Sequence, residues 1–71
     1  MEITAPLTGN IWQILVSEGD SVEAGETLII MESMKMEVNV DTLFDGTVAQ
    51  ILVKEEETVQ ADQVLIVLDE D

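Results

Sequence analysis

Shifted by 37 positions against itself, the sequence aligns residues 7–32 with residues 44–69, and ten of these 26 positions are identical. Average composition would give about two matches. The shared residues are Gly9/Gly46, Gln13/Gln50, Ile14/Ile51, Leu15/Leu52, Val16/Val53, Glu18/Glu55, Val22/Val59, Ala24/Ala61, Leu28/Leu65 and Ile29/Ile66. A chain of 71 residues has room for one core. The two copies are therefore expected to be halves of a single domain spanning residues 1–71.

Each copy reads as short strands and tight turns. Aliphatic and β-branched runs at residues 11–16, 27–31, 46–53 and 64–68 are separated by clusters of Gly, Asp, Ser and Glu, and are too short for independent helices. Ile3 and residues 36–40 read as further strands. The latter alternate as Met36-Glu37-Val38-Asn39-Val40, which predicts one wet face. The run at 64–68 is apolar throughout, predicting a strand covered on both sides or lying near a sheet edge that the other half closes. In the first copy Gly19 and Gly25 supply two corners of positive φ around the apolar anchor Val22. The second copy has Glu56 and Asp62 there. Asp tolerates the left-handed region, whereas Glu56 does so poorly, predicting strain or a different turn. The expected fold is all-β: a flattened sandwich or barrel of two small antiparallel sheets related by a pseudo-twofold axis.

Composition closes off most chemistry. With no Cys and no His, the chain lacks thiol nucleophiles, imidazole bases, zinc sites built on either residue and the Ser-His-Asp arrangement. No stretch follows the ligand spacing of a calcium loop. Neither a metal site nor a catalytic residue is expected, and the chain is not expected to be an enzyme. Sixteen acidic residues against two Lys give a net charge of −14, which repels nucleic-acid phosphates and anionic membrane surfaces. The longest apolar run, Val64-Leu65-Ile66-Val67-Leu68, is far short of the ~20 residues of a membrane helix. No basic or apolar targeting stretch follows Met1, and together with the missing Cys this makes a cytoplasmic location the expectation.

Residues 33–43 lie outside the aligned copies. Strand-like residues run up to Ser33 and away from Met36, so Met34-Lys35 is the natural two-residue tip of a β-hairpin. Such tips favour Asn-Gly or Gly-X, and this one has neither. A tip written against turn chemistry points to selection for something else. Lys35 is one of two cations in the chain; the other, Lys54, is followed by three Glu and reads as a solvated strand end. A primary amine held between two flexible Met side chains can be acylated by an enzyme that brings an activated carboxyl group. The same residues also allow an ordinary hairpin, with a surface Lys and two Met that close one end of the sandwich.

Glu32-Ser33-Met34-Lys35-Met36 closely resembles the attachment motif Glu-Ala-Met-Lys-Met of the biotinyl/lipoyl carrier domain family, with Ser33 in place of the usual Ala. The likeness extends along the chain. Ala5-Pro6-Leu7-Thr8-Gly9 looks like the family's opening turn, Glu18-Gly19-Asp20 and Gly25-Glu26-Thr27-Leu28 like its first-half loops, and Gly46-Thr47-Val48 like the start of its second half. In extent the chain is most similar to the small freestanding bacterial attachment proteins. The resemblance implies a flattened β-barrel, or barrel-sandwich hybrid, with Lys35 on an exposed hairpin opposite the two termini. It implies covalent attachment of biotin to Lys35 by a biotin protein ligase that recognises Met34 and Met36 and, less directly, Glu32 and Glu37. It implies a carrier passing carboxyl groups between a biotin carboxylase and a carboxyltransferase. Within the family the alternative is a lipoyl carrier modified by a lipoate ligase, or a substrate of both ligases, although lipoyl domains usually show Asp-Lys-Ala at the tip. The alternative of another class is an unmodified acidic interaction module, in which Lys35 is dispensable.

Overall fold

The computed structural model describes residues 1–70; Asp71, the last residue of the expected domain, lies outside them. Among the described residues the β-branched and aliphatic runs form strands and no helix. These are β1 (Glu2–Thr4), β2 (Gly9–Ile14), β3 (Ser21–Val22), β4 (Thr27–Ser33), β5 (Met36–Asp41), β6 (Gly46–Ile51), β7 (Thr58–Val59) and β8 (Val64–Glu70). They pair antiparallel into two four-stranded sheets, ordered β1-β8-β6-β3 and β5-β4-β2-β7. The two-residue strands β3 and β7 are too short to show a period in sequence, and each is pinned by one buried residue, Val22 or Val59.

The expected pseudo-twofold relation is present and reaches further than the identities do. The 37-residue shift carries β2, β3 and β4 onto β6, β7 and β8, and it also carries residues 2–4 of β1 onto residues 39–41 of β5. One sheet's strand order thereby maps onto the other's. Both copies bulge at the same place, between Ile11 and Gln13 in β2 and between Val48 and Gln50 in β6. The part of residues 33–43 without a counterpart is the hairpin tip. In the other sheet the equivalent strands, β8 and β1, are paired without a turn between them and lead to the two chain ends.

Inward-facing residues of the two sheets meet in one cluster. Ile11, Leu28, Ile29 and Met31 come from one side, and Val48, Leu65, Ile66 and Leu68 from the other, all fully or almost fully buried. The apolar run at 64–68 belongs to β8, an interior strand flanked by β1 and β6, not an edge. Its outward Val64 and Val67 are half-buried.

Loops from each copy grip a strand of the other. Gly19 N donates to Val48 O and Val48 N to Asp20 O, both at 2.8 Å; the counterparts are Glu56 N to Ile11 O at 2.6 Å and Ile11 N to Glu57 O at 2.8 Å. The Glu18 carboxylate accepts from Ile51 N at 3.0 Å, as Glu55 does from Ile14 N at 3.1 Å. Gly19 has φ 94°, and Glu56 has φ 73°. Glu56 therefore occupies the same turn as Gly19, in a region that costs an L residue about 1–2 kcal/mol, and the loop-to-strand bonds hold it there.

Gly9 and Gly46 are shared for a different reason, the close approach of a neighbouring strand. A Cβ on Gly9 would lie 2.7 Å from Glu32 O, and one on Gly46 2.5 Å from Asp69 O. Because this obstacle is backbone, Gly46→Ala is expected to destabilise by about 1–3 kcal/mol. Glu56→Gly, by relieving the left-handed backbone, is expected to stabilise by about 0.5–1 kcal/mol despite the added chain entropy. Urea unfolding of the two variants beside the parent measures both signs.

Candidate functional site

Ser33 and Met36 form the last pair of the β4–β5 ladder, so the chain reverses through Met34 and Lys35 alone. Both residues have positive φ, 53° and 66°. That is the pattern of a type I′ turn, whose twist matches the flanking strands and which Asn-Gly would form with least strain. With two L side chains in the left-handed region, the tip opposes its own geometry by about 1–2 kcal/mol per residue.

The strands below the tip supply what the tip lacks. Down the same ladder Met31 pairs with Val38 and Ile29 with Val40, and Met31 and Ile29 are rooted in the core with no exposed surface. Ser33 Oγ also donates to Thr8 O at 3.0 Å, tying the base of the tip to the loop between β1 and β2. In sequence, serine in place of the motif's alanine reads as a small change. In the fold it adds a bond that depends on Thr8, 25 residues away in the chain.

At the tip Met34 is 91% exposed and Met36 66%, and Lys35 is exposed between them. The two Met side chains therefore do not close the end of the sandwich, which removes the ordinary-hairpin role considered for them. Glu32 and Glu37 are exposed and stand directly opposite one another across the ladder, so two like charges flank the tip, a mildly destabilising pair. Lys54 lies elsewhere, in the turn after β6, where its N–H donates to Glu57 Oε1 at 3.1 Å.

The hairpin brings Glu32, Met34, Lys35, Met36 and Glu37 together at one projecting end. A prosthetic group joined through an amide requires an accessible amine and a firm mount, and no cradle around it. Lys35 meets that requirement: an exposed amine on the narrowest possible turn, with apolar, adaptable side chains on both sides for a partner's pocket to grip.

Comparisons with known proteins show the family and the fold. The profile of the biotin/lipoyl family, described as "Biotin-requiring enzyme", matches residues 1–68. The methylmalonyl-CoA carboxyltransferase 1.3S subunit of Propionibacterium freudenreichii subsp. shermanii is 58% identical over 36 residues, which are 51% of this chain and 29% of that one. The biotin/lipoyl attachment protein of Bacillus subtilis (strain 168) is 40% identical over 40 residues, 56% of this chain and 55% of that one. The chain thus spans little more than half the length of either relative, or less. The crystal structure of the Kluyveromyces lactis urea carboxylase contains a region that superposes on 97% of this chain with a TM-score of 0.91 and 35% identity, and that region is 6% of the carboxylase.

If the tip is strained as its backbone angles indicate, replacing Met34-Lys35 by Asn-Gly should raise stability by about 1–2 kcal/mol. The melting temperature should rise by about 7–13 °C in a domain of this size. Thermal unfolding followed by circular dichroism checks this, and an unchanged or lower melting temperature would contradict the strain.

Proposed function

The chain belongs to the biotin/lipoyl family of biotin-requiring enzymes, and from that membership we propose that it is a biotin carrier, modified on Lys35 and catalysing nothing itself. The observation that carries this reading is the exposed amine of Lys35 on a core-rooted two-residue turn between exposed Met34 and Met36.

The attachment chemistry asks little of the chain beyond its nucleophile. The Lys35 ammonium first gives up one proton in the ligase site to free its lone pair. Nζ then bonds to the carboxyl carbon of biotin that a biotin protein ligase has joined to AMP, AMP leaves with the bonding pair of the broken acyl–phosphate bond, and a second proton leaves Nζ for solvent as the amide forms. Met34 and Met36 give the ligase an apolar grip, while Glu32 and Glu37 stand as polar flanks. The hairpin then holds Nζ clear of the sandwich. Bound biotin supplies carriage of a carboxyl group between a biotin carboxylase site and a carboxyltransferase site.

Tethering to a compact domain makes each delivery effectively intramolecular, so neither site has to bind the carrier tightly. The names of the Propionibacterium and Kluyveromyces relatives support partners of the carboxylase and carboxyltransferase class. The cytoplasm is the setting that suits this chemistry and the absence of cysteine. Lipoate is a second candidate cargo, because the name of the Bacillus relative covers both groups.

Intact mass with peptide mapping, after incubation with a biotin protein ligase, biotin and ATP, tests the proposal beside a parallel lipoate ligase reaction. One biotinyl group on Lys35 is expected. Lipoyl addition alone would make the chain a lipoyl carrier, and no addition by active ligases would leave the acidic interaction module. Lys35→Arg should keep the fold and abolish modification, because guanidinium is a poor nucleophile at neutral pH; retained labelling would move the site. Met36→Ala should slow biotinylation about tenfold or more while shifting the melting temperature by less than about 2 °C, since the side chain it removes packs against no core.

A further inference from the structure

β1 and β5 are the outer strands on corresponding sides of their sheets, and a groove of about 340 Å³ opens between them. Its walls are made of residues 37 apart: Ile3 with Val40, Thr4 with Asp41, Pro6 with Leu43. The groove therefore straddles the pseudo-twofold axis. At its floor and rim the two copies stop being equivalent in chemistry. Where the first copy has Pro6-Leu7, the second has Leu43-Phe44, and these stand 77% and 45% exposed.

Their exposure is built in, not a result of a loose loop. Thr42, fully buried, donates through Oγ1 to Phe44 O at 2.8 Å and accepts from Phe44 N at 3.1 Å. Asp45 Oδ1 accepts from Ala24 N at 2.8 Å and pins the following residue. The counterpart of Thr42 is Ala5, which has no hydroxyl to do the same. A buried hydroxyl thus fixes the backbone at Phe44, and Leu43 and Phe44 stand exposed beside the groove.

The rim is acidic. Glu2 and Asp41 line it, and among the described residues that line it none is cationic. The nearest cation in the chain sequence, the Met1 ammonium, donates to Leu68 O at 2.8 Å. We infer that this groove seats an extended segment of a partner protein presenting one large apolar side chain flanked by Lys or Arg. The apolar side chain packs against Leu43 and Phe44, the cations face Glu2 and Asp41, and the open edges of β1 and β5 offer backbone hydrogen bonds. A second copy of this chain is a poor occupant, since each copy brings a net charge of −14. Three strand residues, Met36, Glu37 and Val38, separate Lys35 from Asn39, the nearest residue of the groove, about 13 Å along β5, so a seated partner leaves the tip exposed. The inference stands whether or not Lys35 is modified.

The probe is a blocked peptide centred on Lys-Leu-Lys, titrated into the ¹⁵N-labelled chain at 0.15 M salt, with Glu-Leu-Glu and Lys-Ser-Lys peptides as controls. Amide shifts are expected to concentrate at Ile3, Asn39, Asp41 and Phe44, with both controls about tenfold weaker or worse. Leu43→Ser, at a site exposed enough to leave the fold intact, and Glu2→Gln should each weaken the Lys-Leu-Lys peptide severalfold. Shifts spread over the acidic loops at residues 18–20 and 55–57 would show charge attraction alone and overturn the inference. Equal response to Glu-Leu-Glu, or no response at the groove, would overturn it as well.

Discussion

Each copy of the repeat is held closed by the other, through loop backbone that bonds to the facing copy's strand. The backbone of Gly19 and Asp20 closes on Val48, and that of Glu56 and Glu57 closes on Ile11. In consequence β3, from the first copy, completes the sheet built on β6 and β8, and β7, from the second, completes the sheet built on β2 and β4. Neither copy owns a whole sheet or a whole core. A chain with no disulfide to staple it gains cooperativity this way, because losing either loop opens a strand edge in the opposite half.

The hairpin draws on that cooperativity. Two L residues in the left-handed region persist only where the surroundings overdetermine them. Here the determinants are the burial of Ile29 and Met31, the pairing of Ser33 with Met36 and the bond from Ser33 Oγ to Thr8 O. The amine at the tip is therefore presented by the strands beneath it, whose geometry does not depend on what the tip residues prefer. That separation leaves Met34, Lys35 and Met36 free to answer to a partner's requirements.

Most of the architecture was legible in the sequence because the identical positions are those where both copies make the same backbone demand. Gly9 and Gly46 each face a carbonyl too close for a Cβ, Glu18 and Glu55 each receive an N–H from the other half, and Val22 and Val59 each plug the core. The equivalence of β1 with β5 was not legible. An edge strand commits little more than one side chain to the core, Ile3 or Val40, and leaves its neighbours free to differ. Glu56 reads in sequence as strained or in a different turn; it is strained, in the same turn as Gly19, because its conformation is imposed from Ile11, far along the chain. Lys35 stood out through scarcity and its place at a tip. The bond that steadies the hairpin base joins Ser33 to Thr8, 25 residues away, a contact that no local pattern encodes.

The pairing of β1 with β8 has a consequence for how such a unit combines with other polypeptide. Met1 and Leu68 exchange both of their backbone hydrogen bonds, at 2.8 and 2.7 Å, so the incoming and outgoing segments run side by side at the spacing of neighbouring strands. Spliced into a surface loop, this fold would carry the host chain in and out side by side, about 5 Å apart at Met1 and Leu68, and the host would lose little closure entropy. The unit is in that sense a pendant hung from a single point, transferable between hosts without asking them to rearrange.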